Sequence, residues 1–121
     1  MTNQQNNSIN DVIASSRRQG DAAIIAVRGE IDLHNSPTLR TEVLSLLAEG
    51  DVKKLVLNLA GVPYMDSSAI AVLVEALQKL RKIGGKICLT DLQPRVRGLL
   101  EIARLDAIFV LAKDEADALA R

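Results

Sequence analysis

The sequence predicts an α/β domain with a mixed, mostly parallel sheet of four to five strands and helices packed against it. Three observations carry this. After residue 30, short apolar runs alternate with stretches of helical periodicity. One of those runs, Leu55-Val-Leu-Asn-Leu59, is almost unbroken in its apolar character, as a strand covered on both faces must be. The two runs before residue 30 flank Gln19-Gly20-Asp21, a turn-prone link that makes an antiparallel hairpin at one edge.

Taken in order, residues 1–10 are polar, with five Asn or Gln from Asn3 to Asn7. They hold too few apolar groups to offset the entropy of ordering and are expected to form a flexible tail, leaving residues 11–121 as one domain. Val12 to Arg18 and Ala22 to Arg28 are the hairpin strands. Gly29 to Asn35 leaves the sheet, and Ser36-Pro37 opens a helix with a hydroxyl cap and a proline at its first position. Leu39, Val43, Leu46 and Leu47 follow at helical spacing, and Gly50 ends the run. Beyond the central strand, Gly61 and Pro63 make a connection into a second helix from Ser67 to Ile83. Its apolar stripe is Ile70, Leu73, Val74, Leu77 and Leu80. Basic side chains gather at its end, where they complement the helix dipole, and Gly84-Gly85 supplies the stop. Lys86 to Thr90 is a further strand, and Asp91 to Pro94 a turn. Val96, Leu99, Leu100 and Ala103 stripe a third helix, Ala107 to Leu111 forms a last strand, and Asp114 to Leu119 a last helix.

Composition narrows the function. The 121 residues suffice for one core, 48% of them being apolar. Lys plus Arg and Asp plus Glu number 15 each, so no net field draws the chain to nucleic acid or to an anionic membrane. Tyr64 and Phe109 are the whole aromatic set, which leaves no stacking platform for single-stranded nucleic acid. Cys88, the single cysteine, lies in an apolar run and reads as a small buried hydrophobe. No apolar stretch reaches the roughly 20 residues of a membrane helix, and the start lacks the basic and apolar regions of a signal peptide. A cytoplasmic protein is the expectation.

The stretch with most chemical content is Asp66-Ser67-Ser68, at the mouth of the second helix. Free backbone N–H groups and the positive end of the dipole meet there, so a hydroxyl at this place could carry a phosphate. The residues by themselves favour a plain helix cap. His34, the only histidine, is two residues from Asp32, but a zinc site needs more nitrogen or sulfur ligands than that. Neither a histidine relay near Ser67 nor a Gly-x-Ser-x-Gly elbow is present, so no catalytic centre, metal or cofactor is expected. Gly84-Gly85 follows a helix and lacks a Gly-Lys-Ser/Thr ending, which makes it a helix stop and no phosphate loop. Arg95, Arg97 and Arg104 read as a solvated helix face, Met65 as core, and Tyr64 as core or interface rim.

Val27-Arg-Gly-Glu-Ile-Asp-Leu33, Leu55 to Leu59, Tyr64-Met-Asp-Ser-Ser68, Arg81-Lys-Ile-Gly-Gly85 and Gln93-Pro-Arg-Val-Arg97 together resemble the successive blocks of the STAS domain. This is the sulfate-transporter and anti-sigma-factor-antagonist fold, and the chain is similar to the free-standing bacterial anti-sigma factor antagonists. The resemblance covers everything but the tail. It implies a binding protein whose serine directly after the Asp of this motif, Ser67, is phosphorylated by an anti-sigma factor that is also a serine kinase. Unmodified antagonist binds that partner and frees a sigma factor, and a phosphoserine phosphatase resets the switch. The resemblance also sets Glu30, Asp32, His34 and Asn35 beside Asp66, Ser67, Ser68 and Ala69 as the partner surface, where the residues alone allow a solvated, capped loop. One departure stands out: Ala69-Ile70 occupies the place of a glycine and an aliphatic residue. Alanine starts the helix more firmly, while its methyl takes room that an approaching partner would use. A related STAS protein, the accessory subunit of a phospholipid-type ABC transporter, would share the fold without the phosphorylation and bind an ATPase subunit instead.

Overall fold

Side chains alternate between the two faces of a strand, and each face here meets a different cover. The computed structural model describes residues 12–121; the tail expected over residues 1–10 lies outside the described residues. Five strands, β1 (Ile13–Gln19), β2 (Ala22–Arg28), β3 (Lys54–Gly61), β4 (Lys86–Thr90) and β5 (Val110–Ala112), form one sheet in chain order. β1 pairs antiparallel with β2 through a two-residue turn led by Gly20 at φ 61°, and the other pairs are parallel. The α/β class with a mixed, mostly parallel sheet is thus the observed one.

Three helices, α1 (Ser36–Ala48), α2 (Ser67–Arg81) and α3 (Pro94–Ile102), connect the parallel strands. Right-handed crossovers that step in one direction across a sheet bring all their helices to one face. Accordingly Ala23, Ile25, Leu55, Leu57, Ile87 and Leu89 share a single core with Leu39 and Val43 of α1, Leu73 and Leu80 of α2, and Val96 and Leu100 of α3. The opposite face is thinner. Ile24, Val56 and Cys88 are covered there by α4 (Glu115–Ala120), through Ala118. Lys54 Nζ donates to the Ala118 carbonyl at 2.8 Å, and Glu115 accepts from Arg17 at 2.8 Å and Asn58 at 2.7 Å, which fixes both ends of this short helix. Burial pushes the Cys88 thiol up, as for a side chain packed as a small hydrophobe.

Two glycines close α2. Gly84 takes φ 73°, and a Cβ on Gly85 would lie 2.7 Å from the Lys53 carbonyl oxygen, so the pair is needed for the turn and for the close approach of β3's lead-in. The last strand departs from the expected Ala107–Leu111. Ile108 and Phe109 N–H both donate to the Leu105 carbonyl in a turn, and pairing with β4 begins only at Val110. Phe109 is still buried, but as a plug of the helix-side core. Its apolar neighbours therefore mark a packed turn, which has the same composition as a short strand.

Candidate functional site

β2, β3 and β4 all end at one edge of the sheet, so the segments that leave them meet there. Beyond the strand ends, Ile31 and Met65 form a parallel bridge: Ile31 N–H donates to the Tyr64 carbonyl at 3.1 Å, and Asp66 N–H to the Ile31 carbonyl at 3.0 Å. Both bridge residues point into the core, Ile31 fully buried and Met65 nearly so. Alternation then turns their neighbours outward, Glu30 and Asp32 on one segment and Tyr64 and Asp66 on the other. Two stretches more than thirty residues apart in sequence thereby make one surface.

The first segment is held by its own polar side chains. Asn35 Oδ1 accepts from Asp32 N–H at 2.8 Å, and Asn35 Nδ2 donates to the Glu30 carbonyl at 2.9 Å. Asp32 Oδ1 accepts from the N–H groups of His34 at 2.9 Å and Asn35 at 3.1 Å. Such Asx contacts replace the sheet ladder that the loop has left. Asn35 stands at the N-cap position of α1 with its amide turned back to the loop, so Ser36 is the first helical residue and Pro37 the second, one place later than the expected hydroxyl cap and first-turn proline. Ser36 is almost wholly buried; His34 is exposed.

The second segment starts α2. Asp66 is extended, the usual N-cap conformation, and its carboxylate accepts from both the N–H, at 2.9 Å, and the hydroxyl of Ser68. The Ser68 hydroxyl, followed by the backbone N–H groups of Ser68, Ala69 and Leu33, holds the Asp66 carboxyl below the usual carboxylate range against partial desolvation. Ser68 is half-buried and its hydroxyl is committed. Ser67, at the first helical position, is exposed, and its hydroxyl has no partner among the described residues.

The structure gathers Glu30, Asp32, His34, Asn35, Asp66, Ser67 and Ser68 at one edge. Ala69 is taken out of that set, because its methyl is fully buried against the core and has no access to a partner; the expected obstruction at this position does not arise. Sequence reasoning passed over two features. Leu33 is 76% exposed in the middle of the braced loop. Arg40 of α1 donates to Glu75 of α2 through Nε at 2.8 Å and Nη2 at 2.9 Å, across an open groove of about 400 Å³ that Ser36 and Ser68 also line. No one-dimensional signal couples residues 40 and 75. Tyr64 is half-buried with the Arg95 guanidinium 4.7 Å from its ring centroid, which ties the start of α3 to the segment before Ser67.

A model of the family described as the STAS domain matches residues 14–118. The anti-sigma-B factor antagonist of Bacillus subtilis (strain 168) is 35% identical over 92 residues, 75% of this chain and 83% of that one. The chain belongs to the STAS domain family, among the anti-sigma factor antagonists. The anti-sigma F factor antagonist of Paenibacillus polymyxa is 28% identical to this STAS domain over 96 residues, 79% of this chain and 82% of the relative. Solved structures share the fold: the unphosphorylated anti-sigma factor antagonist SpoIIAA aligns with a TM-score of 0.78 at 22% identity, over 88% of this chain and 93% of that chain. The phosphorylated form of SpoIIAA, described as a Bacillus cell fate determinant, aligns with a TM-score of 0.70 at 21% identity, over 88% and 96%.

Proposed function

We propose that this STAS domain is a phosphorylation-controlled binding switch. With Ser67 unmodified it binds an anti-sigma factor that is also a serine kinase and so releases a sigma factor; a phosphate on Ser67 blocks that binding, and a phosphoserine phosphatase removes it. The observation that carries the reading is the contrast within the pair: Ser67 is exposed with a free hydroxyl, while Ser68 spends its hydroxyl on Asp66. A kinase can reach only the first without undoing the cap.

Physical chemistry supports a switch that leaves the fold alone. Phosphorylation adds about −1.5 to −2 charges and three acceptor oxygens, and at the first turn of a helix this charge meets the positive end of the dipole. The effect then falls on the partner, through bulk and unmatched charge in the contact, where a few kcal/mol changes affinity by orders of magnitude. The domain acts by binding and not by catalysis, a reading supported by relatives that are named as antagonists of anti-sigma factors. Its place of action is the cytoplasm, and no helix among the described residues is long and apolar enough to cross a membrane.

Intact mass with phosphosite mapping, on protein purified from its own cells under growth and under stress, tests the proposal. A condition-dependent phosphate on Ser67 is the expected result. Absence of phosphate in every condition, with ATPase subunits of a membrane transporter recovered alongside, would overturn it in favour of the transporter accessory.

A further inference from the structure

Four large apolar side chains are markedly exposed among the described residues: Leu33, Ile83, Ile102 and Ile108. Ile83 lies two residues beyond α2, Ile102 ends α3, and Ile108 is in the turn after α3. Only Leu33 stands at the sheet edge that carries Ser67. Single exposed leucines are common and by themselves mean little. Leu33 differs in how it is held.

Its loop cannot fold the side chain away. Asp32 and Asn35 cross-tie the backbone on both sides of Leu33, and Ser36 N–H donates to the Asp32 carbonyl at 2.8 Å. The Ile31–Met65 bridge fixes the loop to the start of α2. Leu33 follows Ile31 by two residues and Ser67 follows Met65 by two, so both leave that bridge at corresponding places. A side chain presented this way meets a partner with its ordering cost already met on folding. Carboxylates flank it on the same segment. Asp32 is next to Leu33 and Glu30 three residues before it, and both are exposed.

We infer that Leu33 is the apolar anchor of the partner surface, inserting into an apolar socket on the anti-sigma factor whose rim carries basic groups that meet Glu30 and Asp32. The inference rests on the antagonist reading and deepens it: Leu33 supplies affinity, and Ser67 decides whether that affinity can be used. Burying a leucine that otherwise stays in water makes truncation to alanine cost about tenfold or more in affinity. A charged rim adds a dependence on salt.

The test is a titration of the unmodified full chain against each purified anti-sigma factor kinase of the host cell. Wild type should bind one of them, Leu33→Ala should bind that one about tenfold or more weakly, and Leu33→Met should stay close to wild type. All three should have closely similar Tm values, because the side chain is mostly in water. Affinity should fall with added salt, and Glu30→Gln should flatten that fall. Equal affinity of wild type and Leu33→Ala would overturn the anchor and leave the antagonist reading standing. Binding of wild type to none of those kinases would overturn the antagonist reading and the anchor together.

Discussion

The starts of α1 and α2 lie at the same edge of the sheet and both open on a serine, yet they use it in opposite ways. At α1 the cap residue Asn35 spends its side chain on the loop behind it, and Ser36 is packed to 5% exposure between the helices. At α2 the cap residue Asp66 turns its carboxylate forward onto Ser68, which leaves Ser67 in water with a free hydroxyl. The same local signal, a serine at a helix N-terminus, is structural in one place and available for chemistry in the other. Tertiary packing decides between them, because it buries Ser36 and leaves Ser67 exposed.

Placing a charge at each serine separates the two roles most strongly. Ser67→Asp should leave Tm unchanged or slightly higher and reduce affinity for the anti-sigma factor about 100-fold, read by titration calorimetry. Ser36→Asp should do the reverse, destabilising the fold by about 2 kcal/mol in a denaturant titration because the new carboxylate has little access to water.

Removal of the Asn35 amide comes next. Asn35→Ala leaves the Asp32 N–H and the Glu30 carbonyl without their partner and should cost about 1 kcal/mol of stability, with faster hydrogen exchange at Asp32 and weaker partner binding. Asp66→Ala should loosen the other helix start: the Ser68 amide exchanges faster and Tm falls, whereas Asp66→Asn, which keeps an acceptor, should retain most of the cap.

The smallest expected effect is a pH dependence. The Asp66 and Glu115 carboxyls are both held below the ordinary range, by the Ser68 hydroxyl and by Arg17 with Asn58 respectively. A carboxyl that binds its proton less readily in the folded state adds stability above its unfolded pKa, about 3.9 for Asp and 4.3 for Glu, and loses it as pH falls through the lowered folded value. Stability should therefore decline on acidification below about pH 4. Glu115→Gln should reduce that decline without altering the titration of the Ser68 amide resonance, which follows Asp66.

Much of the fold was legible in the chain. The strand–helix alternation, the covered strand from Leu55 to Leu59 and the glycine stop at Gly84-Gly85 are local patterns, and each element appears where its pattern lies. The last strand was misplaced because a packed turn and a short strand have the same apolar composition at Ala107 to Phe109. At the site, the residues pointed to the Asp66–Ser68 stretch and the family resemblance to Ser67, but which hydroxyl is free depends on where the Asp66 carboxylate turns, and a sequence does not contain that direction. The inward burial of Ala69, the exposure of Leu33 and the Arg40–Glu75 pair are likewise products of how α1, α2 and the loop come together.

A phosphate on Ser67 should act on the partner and not on the fold. The most direct measurement is the affinity of one purified anti-sigma factor for the unmodified chain and for the chain phosphorylated on Ser67, with the Tm of both forms. Binding by the unmodified form, loss of about 100-fold or more on phosphorylation, and an unchanged Tm are the predicted result. Equal affinity of the two forms would contradict it, as would a loss of binding that follows a collapse in Tm.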